Sequence, residues 1–357
     1  MRAIAILFVF LAHGGVSPDA PAWMSYLPHN FGVRIFFVIS GFLITHLVIK
    51  ERARAGTNDL GGFYLRRAYR LMPAAYVYML VMTLACWSTL SRTDLVTSYL
   101  YLANYPNHRT WHLGHLWSLS AQEQFYLLWP FALVLLFPHR KAVLIAALIF
   151  APLFRAALLL AYSRHLSVPL GGVTYWLPSI ADALATGCLL AVLRPKLDRY
   201  AHILEHRLML LVPVVTTLLV QFRLVPWRYT LVAYQVLLIP LVHLGIALTV
   251  DHCIRKRYWI LNMAPVVWCG TVSYSLYLWQ QPFLIPAASV VGRAALWERF
   301  PFNIGFAFAA GALSYYLVEQ PILRLRERRS QRVVAPCWPA APIPIERTRS
   351  GEVVDGT

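Results

Sequence analysis

Acidic residues are scarce in this chain. Its 357 residues include 15 Asp and Glu against 32 Lys and Arg, and charged residues of both signs make up only 13% of it. Ordinary soluble domains carry roughly a quarter, so a soluble protein with a charged surface is excluded. Paired cysteines are lacking as well. Cys86, Cys188, Cys253, Cys269 and Cys337 follow no recurring spacing and fall mostly in or beside apolar stretches, which excludes a disulfide framework and a cysteine metal set. No internal repeat with a period of roughly 20–50 residues is present, which excludes a solenoid. The first apolar run ends in His-Gly-Gly without a small-x-small cleavage site, and a single arginine precedes it, so it does not read as a cleaved signal peptide. What remains is apolar: 59% of the residues are hydrophobic, in stretches that recur from end to end. That is the composition of an integral membrane protein.

The apolar stretches divide into ten expected spans, near 2–17, 31–49, 73–91, 119–137, 142–162, 172–193, 208–221, 229–250, 258–287 and 302–319. The fold class expected is therefore all-α: a polytopic bundle of about ten transmembrane helices. The net charge of +17 does not mark a nucleic-acid binder, because its distribution alternates between loops. One set of connections, from Lys50–Arg70, Arg140–Lys141, Arg194–Arg207, Arg255–Arg257 and Arg324–Arg332, holds 20 Lys and Arg; the opposite set holds 7. The positive-inside rule then places both termini in the cytoplasm and the chain in the inner (plasma) membrane as a multi-pass protein. Residues 1–326 read as one transmembrane domain. Residues 327–357, basic and then proline-rich without helical periodicity, read as a disordered cytoplasmic tail.

Ionisable groups inside spans cost several kcal/mol, so each needs a reason. MRAIAILFVFLAHGG carries Arg2 and His13 eleven residues apart. Eleven steps of about 100° bring both to one helical face, about 16 Å apart along the axis. With the expected topology, Gln122 and Glu123 of HLWSLSAQEQFYLLWP, Gln280 and Gln281 of SYSLYLWQQP, and Arg34 of GVRIFFVISGFLIT fall near the same outer depth as His13, with Ser40 deeper. Blander roles stand beside these. A histidine in a span can simply bond a neighbouring helix, and Glu123 can complement a helix N-terminus. Asp182 can be a structural acceptor, with Arg155 a candidate partner. His108, His112 and His115 lie in a loop without nearby cysteine or carboxylate, and no metal is expected there. On the cytoplasmic side GGFYLRRAYRLMP places Arg66, Arg67 and Arg70 on a short amphipathic segment before the third span, at the level of Arg2. Such arginines serve topology and headgroup contacts, or bind the phosphates of an anionic ligand. A long phosphorylated donor anchored there, such as coenzyme A with its pantetheine arm, would reach His13 along the first span.

In this order the motifs Arg2-x10-His13, GVRIFFVISGFLIT, FYLRRAYRLMP, HLWSLSAQEQFYLLWP, ADALATGCLLA, SYSLYLWQQP and YYLVEQP resemble the membrane O-acyltransferases called acyltransferase family 3, over roughly residues 1–326. The resemblance implies an acyl-CoA donor, commonly acetyl-CoA, taken from the cytoplasm, and a histidine at His13 essential for transfer to sugars of lipopolysaccharide, peptidoglycan, exopolysaccharides or antibiotics. Arg2 and Glu319 carry over with their motifs. Three departures stand out. The family's usual Glu-Glu is Gln122-Glu123, which moves any carboxylate role to Glu123. The histidine often found after Leu-Trp is Gln280. The short Asp-Gly-Leu lead before the arginine is not in the sequence, which starts one residue before Arg2, so the start codon is expected upstream. With only the tail after the last span, the expectation is a stand-alone member without a fused extracellular domain.

The reading is an O-acyltransferase moving an acyl group, most simply acetyl, from acyl-CoA to a sugar hydroxyl of a cell-envelope or exported glycan or a lipid-linked sugar, in the lipid bilayer and without nucleic acid. His13 is the expected general base, with Ser40, Glu123 and Gln280 as candidates to orient it or stabilise the oxyanion. Arg2, Arg67 and Arg70 are expected to bind donor phosphates. Arg34, Gln122, Asp182 and Glu319 are expected in substrate-binding or structural polar roles. The alternative is a transporter or flippase for a lipid-linked or acylated small molecule, using the same intramembrane groups as a relay; the inverted repeat it would need is not visible in the sequence.

Overall fold

The computed structural model describes residues 1–27, 30–163, 174–221, 234–290 and 292–326. The expected tail, 327–357, lies outside them, as do parts of the stretches expected to begin the sixth and eighth spans. Among the described residues every regular element is helical. In chain order these are α1 (Arg2–Gly14), α2 (Phe31–Ala55), α3 (Leu60–Ala85), α4 (Arg92–Tyr99), α5 (Trp111–Gly114), α6 (Leu116–Leu135), α7 (Arg140–Ser163) and α8 (Leu177–Leu197). They continue as α9 (Ala201–Leu204), α10 (Leu211–Gln221), α11 (Ile239–Lys256), α12 (Ala264–Trp279) and α13 (Phe302–Ser314), with π turns at Tyr234–Leu238 and Tyr315–Glu319.

Five helical stretches are long and apolar enough to cross a membrane: Phe31–Ala55, Leu60–Ala85, Phe137–Tyr162, Leu177–Leu204 and Tyr234–Lys256. The other expected spans fall short for local reasons. α1, α12 and α13 have 13, 16 and 13 residues, and α10 has 11 among the described residues, below the ~20 that a helix needs to span alone. α6 carries Gln122, Glu123 and Gln124 among its apolar residues. A second difference concerns the arginine segment expected ahead of the third span. It is the first half of α3 itself, which runs without a break through Pro73 after Asp59 Oδ1 caps it by accepting the Gly62 N–H at 2.8 Å.

The centre of the molecule is a cluster in which Ile6, Val9 and Phe10 of α1 meet Val33 and Phe37 of α2, Phe125 and Trp129 of α6, Leu184 of α8 and Leu276 of α12. Leu80 and Leu84 of α3, Ile149 and Leu153 of α7, Leu313 of α13 and Leu317 of the π turn after it point outward and are exposed. An apolar exterior around a packed interior is the arrangement a bilayer solvates. α2 sits closest to α8. A Cβ on Gly41 would lie 2.1 Å from the Leu184 carbonyl oxygen, and one on Gly187 2.0 Å from that of Val38. The two glycines let backbone approach backbone, the contact that associates helices where lipid leaves no hydrophobic drive. Against α1, a Cβ on Gly32 would lie 2.4 Å from the Ala5 carbonyl oxygen and 2.8 Å from Val9 Cγ2. This sets the antiparallel register of α1 and α2, and with it the depth of every polar group on α2.

Replacing Gly187 with Leu should therefore push α2 and α8 apart, at a cost of about 1–3 kcal/mol or more, and should lower the melting temperature or monodispersity of the purified protein. Gly305→Ala, on α13 where an added Cβ meets nothing within 4 Å, should leave both unchanged or slightly improved. Fluorescence-detected size exclusion after a thermal ramp separates the two outcomes.

Candidate active site

α1 carries Arg2 on its first turn and His13 on its last. The imidazole meets α12: His13 Nδ1–H donates to Gln280 Oε1 at 2.8 Å. The orientation of that amide is fixed from behind, because Gln280 Nε2 donates to Gln281 Oε1 at 2.8 Å. With Nδ1 as donor, the neutral imidazole carries its lone pair on Nε2, the form that accepts a proton. Trp111 packs edge-on to His13 with ring centroids 6.1 Å apart, and its indole N–H donates to the Gln281 carbonyl at 3.0 Å.

Trp111 is in turn held from outside the bundle. Asp94, on α4, closes a capping box with Ser91, whose hydroxyl donates to it at 2.7 Å. The same carboxylate accepts the Thr110 N–H at 3.2 Å and the Thr110 hydroxyl. Thr110 directly precedes Trp111 at the start of α5. Burial acts to raise the Asp94 carboxyl, but the hydrogen bonds from Thr110 and Ser91 outweigh it and hold the group below the ordinary aspartate value.

At the other end of α1 the three arginines expected to bind phosphates come together. Arg2, Arg67 and Arg70 line one cavity with Ser40, Gln122 and Tyr126, and its wall continues to Ser118 and Tyr277. Arg67 and Arg70 are three residues apart on α3 and share its inner face; Arg66, on another face, lies 3.9 Å from Glu51 and 3.7 Å from Asp59. The Arg67 guanidinium stacks over the Tyr126 ring at 3.4 Å. Among the described residues Arg2, Arg67 and Arg70 make no ion pair. The carboxylate within electrostatic reach of Arg2 and Arg70 is Glu319, which accepts the Ser275 hydroxyl at 3.0 Å.

The remaining polar residues divide differently from the convergence on His13 that depth counting suggests. The Ser40 hydroxyl accepts from Gln122 Nε2 at 3.0 Å and from the Tyr126 hydroxyl at 2.7 Å, so Ser40 and Gln122 belong to the arginine cavity. The cause is the register: Gly32 faces Ala5 and Val9, and Ser40 lies two turns further toward the Arg2 end. Glu123 lies within electrostatic reach of Arg67 and Tyr101, and among the described residues its Oε1 is buried without a hydrogen-bond partner. Arg34 and Asp182 lie in a second polar cluster. Arg155 forks onto Asp182 at 3.0 and 2.7 Å, and Arg34 Nη1 donates to His243 Nε2 at 2.8 Å. His243, in IPLVHLG, escapes the sequence reading, although the rule that singles out His13, an ionisable group within an apolar span, applies to it equally.

A family model described as an acyltransferase domain matches residues 1–319. Among curated proteins, the peptidoglycan O-acetyltransferase OatA of Listeria monocytogenes is 26% identical over 355 residues, covering 90% of this chain and 54% of the relative. The O-acetyltransferase OatA of Staphylococcus aureus is 26% identical over 355 residues, covering 90% of this chain and 56% of the relative. The chain spans about half the length of these relatives. No solved structure matches.

The Asp94 linkage predicts a pH signature. A carboxyl whose folded pKa is lowered stabilises the fold fully above its unfolded value of about 3.9 and loses that contribution as pH falls through the folded value. The wild-type protein should melt higher than Asp94→Asn at pH 6, and the gap should close below about pH 4. Melting curves of the two proteins in one detergent, taken across this range, measure it.

Proposed function

The chain belongs to the acyltransferase family whose model it matches over residues 1–319, and from that premise we propose that it is a membrane O-acetyltransferase acting on a hydroxyl of a cell-wall glycan. Relatives named as O-acetyltransferases support this reading. The observation that carries the donor assignment is the cavity in which Arg2, Arg67 and Arg70, drawn from two helices, face one space without an ion pair. Guanidinium groups bind phosphate oxygens in pairs of parallel hydrogen bonds, so the donor is an acyl-CoA whose phosphates rest on these three side chains. The α1 helix leads from there to His13. Both termini are cytoplasmic in this reading, the bundle crosses the inner membrane about ten times, and His13 stands in the outer half.

In the reaction His13 Nε2 takes the proton of the acceptor hydroxyl as its oxygen attacks the thioester carbonyl. The carbon–sulfur bond breaks as the ester forms, and the imidazolium returns the proton to the departing thiolate. Gln280 holds the ring and selects the tautomer, an orienting role that needs no charge. Ser40 and Gln122 serve the donor cavity, and Glu319 limits the repulsion between Arg2 and Arg70.

The two ends of α1 should fail differently. His13→Ala should lower kcat by roughly 10² or more, the usual contribution of general acid–base catalysis, with little effect on the KM for acyl-CoA. Arg2→Gln and Arg70→Gln should chiefly raise that KM, because a phosphate contact is present in ground and transition states alike, and Arg2→Lys should rescue only in part. Donor titrations with the reconstituted protein and a glycan acceptor make the comparison. Wild-type turnover in His13→Ala would remove the assignment.

A further inference from the structure

A second cavity, of about 210 Å³, lies on the far side of α2 from the arginine cavity, against the cluster of Arg34, Arg155, Asp182 and His243. Its charges do not balance. Asp182 is fully committed: Arg155 forks onto both of its oxygens, and the Ala183 N–H adds a third bond at 3.0 Å. Arg155 is anchored further by the carbonyls of Ser179 and Gln235. His243 supplies no charge. A guanidinium can only donate, so the 2.8 Å bond from Arg34 makes Nε2 an acceptor and puts the single ring proton on Nδ1, which faces Asp182 Oδ2 at 3.4 Å. Among the described residues two guanidinium groups therefore share one carboxylate, and Arg34 is left with a neutral imidazole as its hydrogen-bonded partner. A positive charge surrounded by packed helices is costly unless an opposite charge joins it.

The rest of the wall suits a sugar. Trp117 and Tyr175 both line the cavity as a tilted pair with ring centroids 4.4 Å apart and planes at 49°, offering aromatic surface to the C–H side of a pyranose. The Arg109 guanidinium lies over the Tyr175 ring at 4.5 Å. Gln235 Oε1 is buried there without a hydrogen-bond partner among the described residues, an acceptor placed for a hydroxyl. Val33 and Phe37 line both this cavity and the arginine cavity, so an occupant sits one side-chain wall from the donor space.

We propose that the Arg34 cavity binds the anionic group of the acceptor, so that the acceptor is a sugar bearing a carboxylate or a phosphate and not a neutral one. The word acceptor rests on the acyltransferase reading; the anion site itself does not.

The test is binding to the full chain in nanodiscs, followed by calorimetry, with glucuronate, inorganic pyrophosphate and neutral glucose as probes. One anion is expected to bind saturably and at least tenfold more tightly than glucose. Preference for glucuronate identifies a carboxylated sugar, and preference for pyrophosphate a phosphate-bearing one. Arg34→Gln should weaken that binding roughly tenfold or more, in keeping with the loss of a charge-assisted hydrogen bond, and Arg34→Lys by less. Gln235→Glu, nearly isosteric, cancels the surplus charge without removing a buried arginine and should weaken binding as much, so the test survives if Arg34→Gln does not fold. Equal binding of all three probes, or no binding of any, overturns the proposal. So does anion binding that persists in Gln235→Glu but disappears in Arg70→Gln, which would assign the anion to the donor cavity. Because the readout is binding, a failure of acyl transfer with the anion still bound would reject the enzymatic reading alone.

Discussion

A guanidinium lodged among apolar helices has to be answered by negative charge, and among the described residues little of it is available to Arg2, Arg34, Arg67 and Arg70. Arg155 has its answer in Asp182. Among the described residues Arg2 and Arg70 have Glu319 within electrostatic reach and Arg67 has Glu123, none of them as an ion pair, and Arg34 has an imidazole. The scarcity of acidic residues in the sequence is thus repeated at the scale of single cavities. In the proposed reading, positive charge stored in this way makes each cavity a receptor for an anion, since the ligand's charge completes what the protein leaves open. The two polar cavities differ in what surrounds the surplus: serine, glutamine and tyrosine around three arginines in one, an aromatic pair beside one arginine in the other.

α2 keeps the cavities apart while belonging to both. Its Val33 and Phe37 are common wall, Ser40 turns to one side and Arg34 to the other. That partition depends on the helix neither rotating nor sliding. The contact of Gly41 and Gly187 with the opposite backbones holds it against α8, and Gly32 holds it against α1. Each contact is between main chains, where a rotamer change cannot absorb a shift.

The gathering of Arg2, Arg67 and Arg70 around one cavity was legible in the sequence, because Arg67 and Arg70 at i and i+3 must share a helix face and Arg2 falls at the same depth. The partner of His13 was legible in part: Gln280 was among several groups assigned to its level. The fate of Ser40 and Gln122 was not legible. Depth read from hydropathy counts from the ends of spans, and α1 and α2 are offset so that Gly32 meets the middle of α1. Eight residues along α2 then carry Ser40 past the histidine to the arginines. α3 was divided at Pro73 by composition, although a proline there leaves the helix continuous. The Asp94–Thr110–Trp111 support could not be read at all, since it joins residues by side-chain geometry in a loop with no periodic pattern.

α1 is a single uninterrupted helix from Arg2 to Gly14, and a helix is stiff along its axis. The separation of about 16 Å between its arginine and its histidine is therefore a fixed length and not an adjustable one. In the donor reading it acts as a ruler. It is matched to the reach of the arm that joins the phosphates to the thioester, and it is indifferent to the acyl group carried at the end. A donor with a shortened arm would have to choose between its phosphate contacts and the histidine, whereas a change of acyl group would be judged only by the space around Trp111 and Gln280.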